Sequence, residues 1–361
     1  MERLSLDLKE KRYDIVFSAD FSGLLDCLAE VKASGKLLLV TDSNVESLYA
    51  GTVKKLLSGN GYDVGVFAFQ AGEMQKHMDT ILDICGACVE HGMDRRSMII
   101  ALGGGVVGDM AGFASAIYMR GIPFIQVPTT LLSQTDSSVG GKTGIDFQGG
   151  KNILGAFHQP RLVYINVSTL KTLPEREFIS GMGEVIKHGI IRDAEFFAYL
   201  ERNYDKIAAL EPADLIQMTK KNCGIKGEIV MQDAYETGLR ANLNFGHTIG
   251  HAVESYFNFT WSHGECVGIG MVAASYIAYR REMIPKKTLL RIESILKLYG
   301  FRTRAEILNA AQVISLLQKD KKKINGQLKF ILPVQIGSVV QVTDVTELEI
   351  LDALAYINER G

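Results

Sequence analysis

The chain has 361 residues, of which 47% are hydrophobic and 22% are charged. A chain of this length exceeds the size at which one hydrophobic core keeps growing, so we expect two domains. The 39 basic and 41 acidic residues give a formal net charge of -2, which argues against binding to nucleic acid or to an anionic membrane surface. Apolar runs are too short for a membrane span, and the charged start is unlike a secretory signal.

The cysteines point to a reducing compartment. They are odd in number and scattered along the chain, so a disulfide framework is not expected. Cys85 and Cys88 form a single C-x-x-C within a helical pattern, where packing is the simplest interpretation. We therefore expect a cytoplasmic protein.

The first half of the chain alternates apolar strands with helical patterns. Residues 36–40 form a continuous apolar run typical of a buried parallel strand. Helices between such strands imply right-handed crossovers and a parallel sheet. The predicted strands are 13–18, 36–40, 64–69, 98–102, 124–128 and 162–167, and the predicted helices are 21–32, 76–91 and 110–119.

A glycine-rich turn follows the predicted strand 98–102. The segment Gly103-Gly-Gly-Val-Val-Gly108 has the spacing G-x-G-x-x-G and precedes a helical pattern. Glycines there let the backbone approach a pyrophosphate, and the helix start offers N–H groups to it. We favour dinucleotide binding over a tight packing turn. The usual ribose-binding acid about twenty positions downstream is missing, and Asp42, after an earlier strand, is the better candidate.

Two further segments, 129–144 and a glycine cluster ending at Lys151 and Asn152, are rich in small and polar residues. We interpret them as functional loops, because apolar residues punctuate the first and a strand follows the second. Lys142 and Lys151 stand beside glycine turns and suit an anion such as phosphate, although neither has the Walker A spacing.

Helical periodicity dominates after a boundary near residues 168–172, so the predicted domains are 1–170 and 171–361. The Asn325-Gly326 pair predicts a hairpin turn, with short strands at 328–332 and 339–342. The predicted helices are 178–189, 195–210, 212–232, 242–257, 264–282, 285–299, 304–318 and 347–358.

Three of the seven histidines lie within residues 239–265. His247 and His251 are spaced i,i+4, so a helix would place them on one face, and His263 follows next to an acidic residue. This density indicates a metal or acid–base centre. Ordinary helix and turn histidines are an equal alternative from this stretch alone.

Glu184 and Lys187 are spaced i,i+3 in the segment GMGEVIKHG. Such pairs are usually exposed salt bridges, but apolar neighbours and the preceding glycines favour a carboxylate that faces inward. One carboxylate with two histidines and an open position is a common catalytic zinc set. The candidate ligands are therefore Glu184 and two of His247, His251 and His263.

Seven motifs now carry a resemblance to a known family. The sequence from 13 to 333 resembles 3-dehydroquinate synthases through GGGVVGD, PTTLLSQTDSSVGGKTGI, GKNILGAFHQP, KTLPEREF, GMGEVIKHG, NFGHTIGHAVE and HGECVGIGM, in this order. The resemblance implies an α/β N-terminal Rossmann-like nucleotide-binding domain, a mostly α-helical C-terminal domain and an active site in the interdomain cleft. The family is similar in fold to metal-dependent dehydrogenases of the glycerol dehydrogenase type.

The same resemblance implies the activity. Members of the family convert 3-deoxy-D-arabino-heptulosonate 7-phosphate to 3-dehydroquinate and phosphate, a step of the shikimate pathway. They use NAD, which is reduced and reoxidised within one turnover, and a divalent metal, zinc or cobalt. A small sugar-phosphate substrate and a homodimer are expected, with no nucleic acid and no membrane as partner.

Matching positions imply the site residues. The metal ligands would be Glu184, His247 and His263. The catalytic residues would be Asp136, Lys142, Asn152, Lys187 and His251. The substrate would contact Arg120 from the partner subunit, together with Lys226, Arg240, Asn244 and Lys322. NAD would contact Asp42, Asn44, Glu73, Lys76, Gly104, Gly105, Asp109, Thr129, Thr130, Lys151, Thr172 and Glu177.

Two of these assignments have close competitors. Lys226 shares its helical pattern with Lys220 and Lys221, and Lys322 lies within a run of three lysines, a pattern that is usually solvated. Alternatives for the whole chain are another sugar-phosphate cyclase of the family, a metal-dependent polyol dehydrogenase or a nucleotide-binding regulator. The lysines and arginines argue against a neutral polyol as substrate, and the metal triad argues against a regulator.

Overall fold

The computed structural model describes residues 1–7, 11–233, 238–258, 260–307, 309–323 and 328–358, with the backbone alone for 319–323. The chain forms two compact units. The first contains Met1–Leu173 and Pro212–Met231, and the second contains Pro174–Glu211 and Gln232–Gly361. No helix in the described ranges is long and apolar enough to cross a membrane.

The elements are numbered in chain order. The strands are β1 Glu2–Asp7, β2 Arg12–Ser18, β3 Lys36–Asp42, β4 Asp63–Phe69, β5 Met98–Gly103, β6 Phe124–Pro128, β7 Lys142–Phe147, β8 Gly150–Phe157, β9 Leu162–Asn166, β10 Phe330–Gln335 and β11 Ser338–Val342. The helices are α1 Leu24–Glu30, α2 Ser43–Val45, α3 Gly51–Ser58, α4 Met78–Glu90, α5 Gly105–Ile117, α6 Glu175–Arg192, α7 Ala194–Arg202, α8 Tyr204–Ala208, α9 Pro212–Gln232, α10 His247–Tyr256, α11 His263–Arg280, α12 Lys286–Leu298, α13 Ala310–Lys323 and α14 Glu347–Tyr356.

The first unit is built on a seven-stranded sheet with the order β1-β2-β9-β6-β5-β3-β4. All of its pairs are parallel except β1 with β2. Successive residues of a strand point to opposite faces, so Leu37 and Leu39 join one apolar cluster while Leu38 and Val40 join the other. This two-sided burial explains why residues 37–40 of β3 are all apolar. The α/β class predicted from the sequence is confirmed.

The strand order reverses direction between β3 and β5. The chain leaves β3 for β4 on one side, and it leaves β5 for β6 on the other. In open α/β sheets, ligands bind beyond the carboxyl ends of the strands at such a switch point. Asp42 ends β3 and Gly103 ends β5, and the two strands are neighbours through pairs such as Val40 and Ala101.

Strand β1 is not among the sequence predictions. It lies at the edge of the sheet, where only Leu6 is buried, Leu4 is half-buried and the other positions are polar and exposed. Charged side chains are usual on edge strands because they discourage pairing with other chains. Arg3 forms an ion pair with Glu30 of α1 at 2.5 Å. Leu4 and Leu6 alternate with polar residues, but two apolar positions are a weak signal for a strand.

The interpretation of residues 129–144 and of the glycine cluster near 150 as loops is wrong in part. A π-helical turn covers Ser133–Ser137, and β7 and β8 form an antiparallel hairpin. Glycines obscure the pattern: a Cβ on Gly144 would lie 2.5 Å from the Leu154 carbonyl oxygen, so close strand contact requires glycine here.

Helix α9 belongs to the first unit, although the chain before and after it belongs to the second. The sequence analysis placed this helix in the second domain. Its polar contacts explain why it belongs to the first unit. The Asn222 side chain donates to the Thr135 carbonyl at 2.7 Å, and Lys226 Nζ donates to the Asp136 carbonyl at 2.6 Å. Helical periodicity reports the helix but not the unit against which it packs.

The second unit is mostly helical, as predicted. The predicted helix 195–210 is two helices, α7 and α8, and the predicted helix 304–318 begins at Ala310. The chain before α10 forms a 3-10 helix, and Gly246 with φ 80° separates the two, so α10 begins at His247 rather than at 242. Strands β10 and β11 form a hairpin, and Asn325 and Gly326 lie outside the described residues.

Candidate active site

Glu184 is the centre of a buried polar cluster in the second unit. It lies in the middle of α6, where it is 2% exposed, and Lys187 one turn later is equally buried. Lys187 Nζ donates to Glu184 Oε2. The interpretation as an exposed salt bridge is thus excluded, and the carboxylate faces inward. Burial of such a pair is costly unless further charges or a metal compensate.

Two histidines face the other carboxylate oxygen. Glu184 Oε1 is 3.6 Å from His247 Nε2 and 3.5 Å from His263 Nε2. This oxygen is buried and has no partner with hydrogen-bond geometry among the described residues. Ligand atoms about 2.0–2.2 Å from one tetrahedral zinc ion are about 3.3–3.6 Å apart, so these separations fit a shared divalent cation.

Helix starts and glycines bring the three side chains together. His247 and His263 are the first residues of α10 and α11, and a capping box of Ser262 and Glu265 fixes the start of α11. A Cβ on Gly264 would lie 2.0 Å from the carbonyl oxygen of Ser180 in α6. The glycine after His263 therefore allows the two helices to approach closely enough for His263 to reach Glu184.

The ionisation of the cluster matches a cation site. Burial raises the pKa of Glu184, but Lys187 and the two histidines outweigh it and hold the pKa well below its usual range. Burial and Lys187 lower the pKa of His247 to about 3, so this imidazole is a neutral donor. Burial lowers the pKa of His263, but Glu184 and Glu254 outweigh it and raise the pKa to about 9. The two carboxylates thus favour positive charge at the His263 ring.

His251 lies beside the Glu184 cluster and is exposed. Its ring centroid is 5.2 Å from that of His247 and 5.8 Å from that of His263. Spacing alone left His251 as a possible ligand, but the nitrogens that face Glu184 belong to His247 and His263. An exposed imidazole next to a metal is suited to proton transfer.

In the first unit, the glycine turn opens α5. Gly104 is the N-cap residue, and no side chain of the described residues caps this helix start. Its N–H groups are therefore available to an anion, as in dinucleotide sites. Side chains added here would be tightly packed, since a Cβ on Gly104 would be 3.2 Å from Thr130 Cγ2 and one on Gly105 3.1 Å from Ser137 Oγ. The residues present thus fit a pyrophosphate.

Lys76 gathers several predicted site residues in the first unit. Its Nζ is 2.7 Å from Asp109 Oδ2, 2.5 Å from Asn152 Oδ1 and 3.9 Å from Glu73 Oε1. Burial lowers the pKa of Lys76, but Asp109 and Glu73 outweigh it and the pKa is raised. Asn152 has φ 54°, a left-handed conformation that asparagine tolerates. The lysine is therefore charged and fixed in position.

The structure separates Lys226 from its two competitors. Lys226 is buried, and its Nζ is 2.7 Å from Asp136 Oδ1. Lys220 pairs with Glu2 at the protein surface, and Lys221 is exposed. A buried lysine beside a second predicted site residue favours Lys226 as the functional one.

The remaining predicted residues occupy varied environments. Asp42 accepts hydrogen bonds from the Asn44 and Val45 N–H groups and so caps the turn after β3. Arg240 is buried in the 3-10 helix before α10. Thr129 is buried, and Thr130 hydrogen-bonds Ser133. The side chain of Lys322 lies outside the described residues. Exposed positions are Asn44, Glu73, Arg120, Lys142, Lys151, Asn152, Thr172, Glu177 and Asn244.

The sequence analysis did not identify Glu254, which also belongs to the cluster. Glu254 is 7% exposed, and its Oε2 is 3.9 Å from His263 Nδ1. It follows His247 by seven positions and His251 by three, so helical spacing places it on the same face. That spacing could have identified it from the sequence.

Comparison with known families decides the identity of the fold. The family model described as "3-dehydroquinate synthase N-terminal" matches residues 66–180, and that described as "3-dehydroquinate synthase C-terminal" matches residues 181–323. The chain belongs to the 3-dehydroquinate synthase family. The 3-dehydroquinate synthase of Acetivibrio thermocellus is 47% identical over 99% of this chain and 100% of its own length. That of Ruminiclostridium cellulolyticum is also 47% identical, over 95% of this chain and 96% of its own.

Solved structures agree with the fold. The 2-epi-5-epi-valiolone synthase ValA of Streptomyces hygroscopicus, solved with NAD⁺ and Zn²⁺ bound, is 30% identical, with a TM-score of 0.89 over 98% of this chain and 99% of that one. A 2-deoxy-scyllo-inosose synthase is 23% identical, with a TM-score of 0.84 over the same shares, which shows a common fold.

Proposed function

We propose that the chain catalyses the 3-dehydroquinate synthase reaction, in which 3-deoxy-D-arabino-heptulosonate 7-phosphate is converted to 3-dehydroquinate and phosphate. It is thus a phosphate-eliminating carbon–oxygen lyase of the shikimate pathway. The observation that carries the proposal is the buried set Glu184, His247 and His263 in a chain 47% identical over nearly its full length to 3-dehydroquinate synthases. The valiolone synthase is less similar, at 30% identity.

Two groups would be held by the chain. Glu184, His247 and His263 would bind zinc or cobalt, and the start of α5 with Asp42 at the switch point would bind NAD. When bound, the metal would supply Lewis acidity toward a substrate hydroxyl, and NAD would supply a reversible hydride acceptor. The other NAD contacts that we propose are Asn44, Glu73, Lys76, Gly104, Gly105, Asp109, Thr129, Thr130, Lys151, Thr172 and Glu177.

The chain's own residues would bind and orient a doubly charged substrate. Lysine and arginine side chains give charge-assisted hydrogen bonds to phosphate and carboxylate groups. Lys187 forms an ion pair with Glu184, and Lys226 forms one with Asp136. His251, exposed beside the metal ligands, would move a proton. The other substrate contacts that we propose are Arg120, Lys142, Asn152, Arg240, Asn244 and Lys322.

A homodimer is proposed from the surface near Arg120. Ile117 and Met119, which precede it, are 44% and 42% exposed, and Ile153 and Phe157 of β8 are 62% and 55% exposed. Exposed apolar side chains of this size favour an interaction surface. Sedimentation equilibrium should give a dimer for the wild type and a monomer for Phe157→Glu. A cytoplasmic location is proposed because all five cysteines are free thiols.

A phosphate-release assay with the heptulosonate phosphate tests the function. We expect stoichiometric phosphate, no net NADH at 340 nm, and loss of activity with a chelator that added Zn²⁺ or Co²⁺ restores. Net NADH formation would instead establish a dehydrogenase. Phosphate release from a sugar phosphate that lacks the carboxylate, in preference to the heptulosonate, would establish an aminocyclitol-type cyclase.

A further inference from the structure

Glu254 lies behind the metal cluster, on the far side of the His263 ring. The ring presents Nε2 to Glu184 Oε1 at 3.5 Å and Nδ1 to Glu254 Oε2 at 3.9 Å. Each nitrogen of His263 therefore faces a different carboxylate. His247 also points its Nε2 toward Glu184 Oε1, at 3.6 Å.

His247 provides an internal comparison. Its Nδ1 is 3.1 Å from the carbonyl oxygen of Phe245, an acceptor that fixes both the tautomer and the direction of the ring. When Nε2 of a histidine binds a metal, Nδ1 carries the hydrogen and requires an acceptor. The main chain supplies this acceptor for His247. For His263, the facing acceptor is the Glu254 side chain.

The location of Glu254 fits this role. It lies on α10, two turns after His247, so the helix that begins with one ligand also carries the carboxylate that faces the other. Glu254 is buried, whereas His251 on the same helix is exposed. Helix α10 is held against α11 by glycine contacts, since a Cβ on Gly250 would be 2.9 Å from the Cys266 carbonyl oxygen.

From this geometry we propose that Glu254 is a positioning residue, which accepts a hydrogen bond from His263 Nδ1–H and orients His263 Nε2 toward the metal. The inference rests on the proposed metal site and adds a residue to it. Carboxylates that support a metal-bound histidine contribute about 10–100-fold to metal affinity. Glu254 therefore acts on metal retention through His263 and does not contact the substrate.

The test is the Zn²⁺ dissociation constant, measured by competition with a chromogenic chelator in the absence of substrate and NAD. Glu254→Leu removes the acceptor, and we expect about 10–100-fold weaker binding. Glu254→Gln keeps an acceptor oxygen at the same reach, so most of the affinity should return. Glu254→Asp keeps the charge but withdraws the oxygen by one methylene, so it should bind Zn²⁺ more weakly than Glu254→Gln.

Glu293 offers a matched control in the same unit. It is 4% exposed, accepts a hydrogen bond from the Tyr356 hydroxyl and is 3.6 Å from Arg304. Glu293→Leu should lower the melting temperature and leave Zn²⁺ affinity unchanged. If Glu254→Leu does not fold, the comparison of the other two variants tests the positioning role, which predicts tighter Zn²⁺ binding in Glu254→Gln than in Glu254→Asp.

Wild-type Zn²⁺ affinity in Glu254→Leu, or in Glu254→Asp, would overturn the role of Glu254. This outcome is distinct from a failure of the metal site itself. If His247→Ala also binds Zn²⁺ like the wild type, the ligand set is wrong. If His247→Ala loses the metal while Glu254→Leu and Glu254→Asp keep it, only the positioning role fails.

Discussion

The two proposed sites differ in the kind of atom that would contact the ligand. The NAD site is at the start of α5 in the first unit, and the metal site is the Glu184 cluster in the second unit. At α5 the main chain would contact NAD, since Gly104 and Gly105 leave the helix N–H groups uncovered. Around Glu184 side chains would contact the metal, and glycines such as Gly264 let the helices approach each other. The first site therefore depends on backbone shape, and the second on a few buried charges whose removal leaves others unpaired.

The largest effect is expected from the loss of a proposed metal ligand. His247→Ala should lower phosphate release by about a thousandfold or more, because the Lewis acid would be lost. His251→Ala is the matched variant on the same helix. It should lose rate at saturating Zn²⁺ while it retains the metal. Activity of His247→Ala within tenfold of wild type would contradict the proposed division of roles.

Lys76 provides the corresponding test in the first unit. Lys76→Met leaves Asp109 without its ion pair at 2.7 Å, and breaking a buried pair typically costs about 3–5 kcal/mol. We expect a lower free energy of unfolding and weaker NAD binding, measured by urea titration and by calorimetry. The exposed lysine Lys54 supplies the control, since Lys54→Met should change neither quantity.

Gly264→Ala tests whether close helix contact assembles the metal site. The added Cβ would meet main-chain atoms of Ser180 at 2.0–2.6 Å, so the helices must move apart. We expect destabilisation of about 1–3 kcal/mol together with weaker Zn²⁺ binding. Gly86→Ala in α4 meets no atom within 4 Å and should stabilise the protein by about 0.5–1 kcal/mol. Equal effects of the two substitutions would contradict the packing argument.

The smallest effect concerns a surface cluster remote from both sites. Arg281, together with the Thr346 cap, lowers the pKa of Glu349 from 4.5 to about 2. Because the folded-state pKa is lowered, the stabilisation is complete above about pH 4.5 and is lost as the pH falls toward 2. Glu349→Gln should therefore melt below wild type at pH 6, and the difference should narrow by pH 3.5. A constant difference would exclude this ionisation as its source.

Much of the first unit could be predicted because its buried strands, such as β3 and β5, are apolar runs bounded by turn residues. The prediction fails where tertiary contact replaces periodicity: β1 is an edge strand with one buried residue, and β7 and β8 rely on glycines for close approach. The assignment of α9 to the first unit depends on contacts of Asn222 and Lys226 that no helical pattern encodes.

The candidate site shows the same limit. Spacing identified the histidines and Glu184 as candidates, but it could not decide between His251 and His263 as partners of His247. That choice depends on α11 beginning at His263 beside α6, which only the packing of Gly264 against Ser180 determines. The set Glu184, His247 and His263 was implied by the family resemblance and not by the spacing, and it stays a prediction.

Metal content per chain is the most direct test of the proposed ligand set. Wild-type protein and the variants Glu184→Ala, His247→Ala, His263→Ala and His251→Ala would be purified alike, loaded with Zn²⁺, desalted and measured by mass spectrometry for metals. We expect one ion per chain in the wild type and in His251→Ala, and none in the other three. Metal-free His251→Ala, or full occupancy in His247→Ala or His263→Ala, would contradict the assignment.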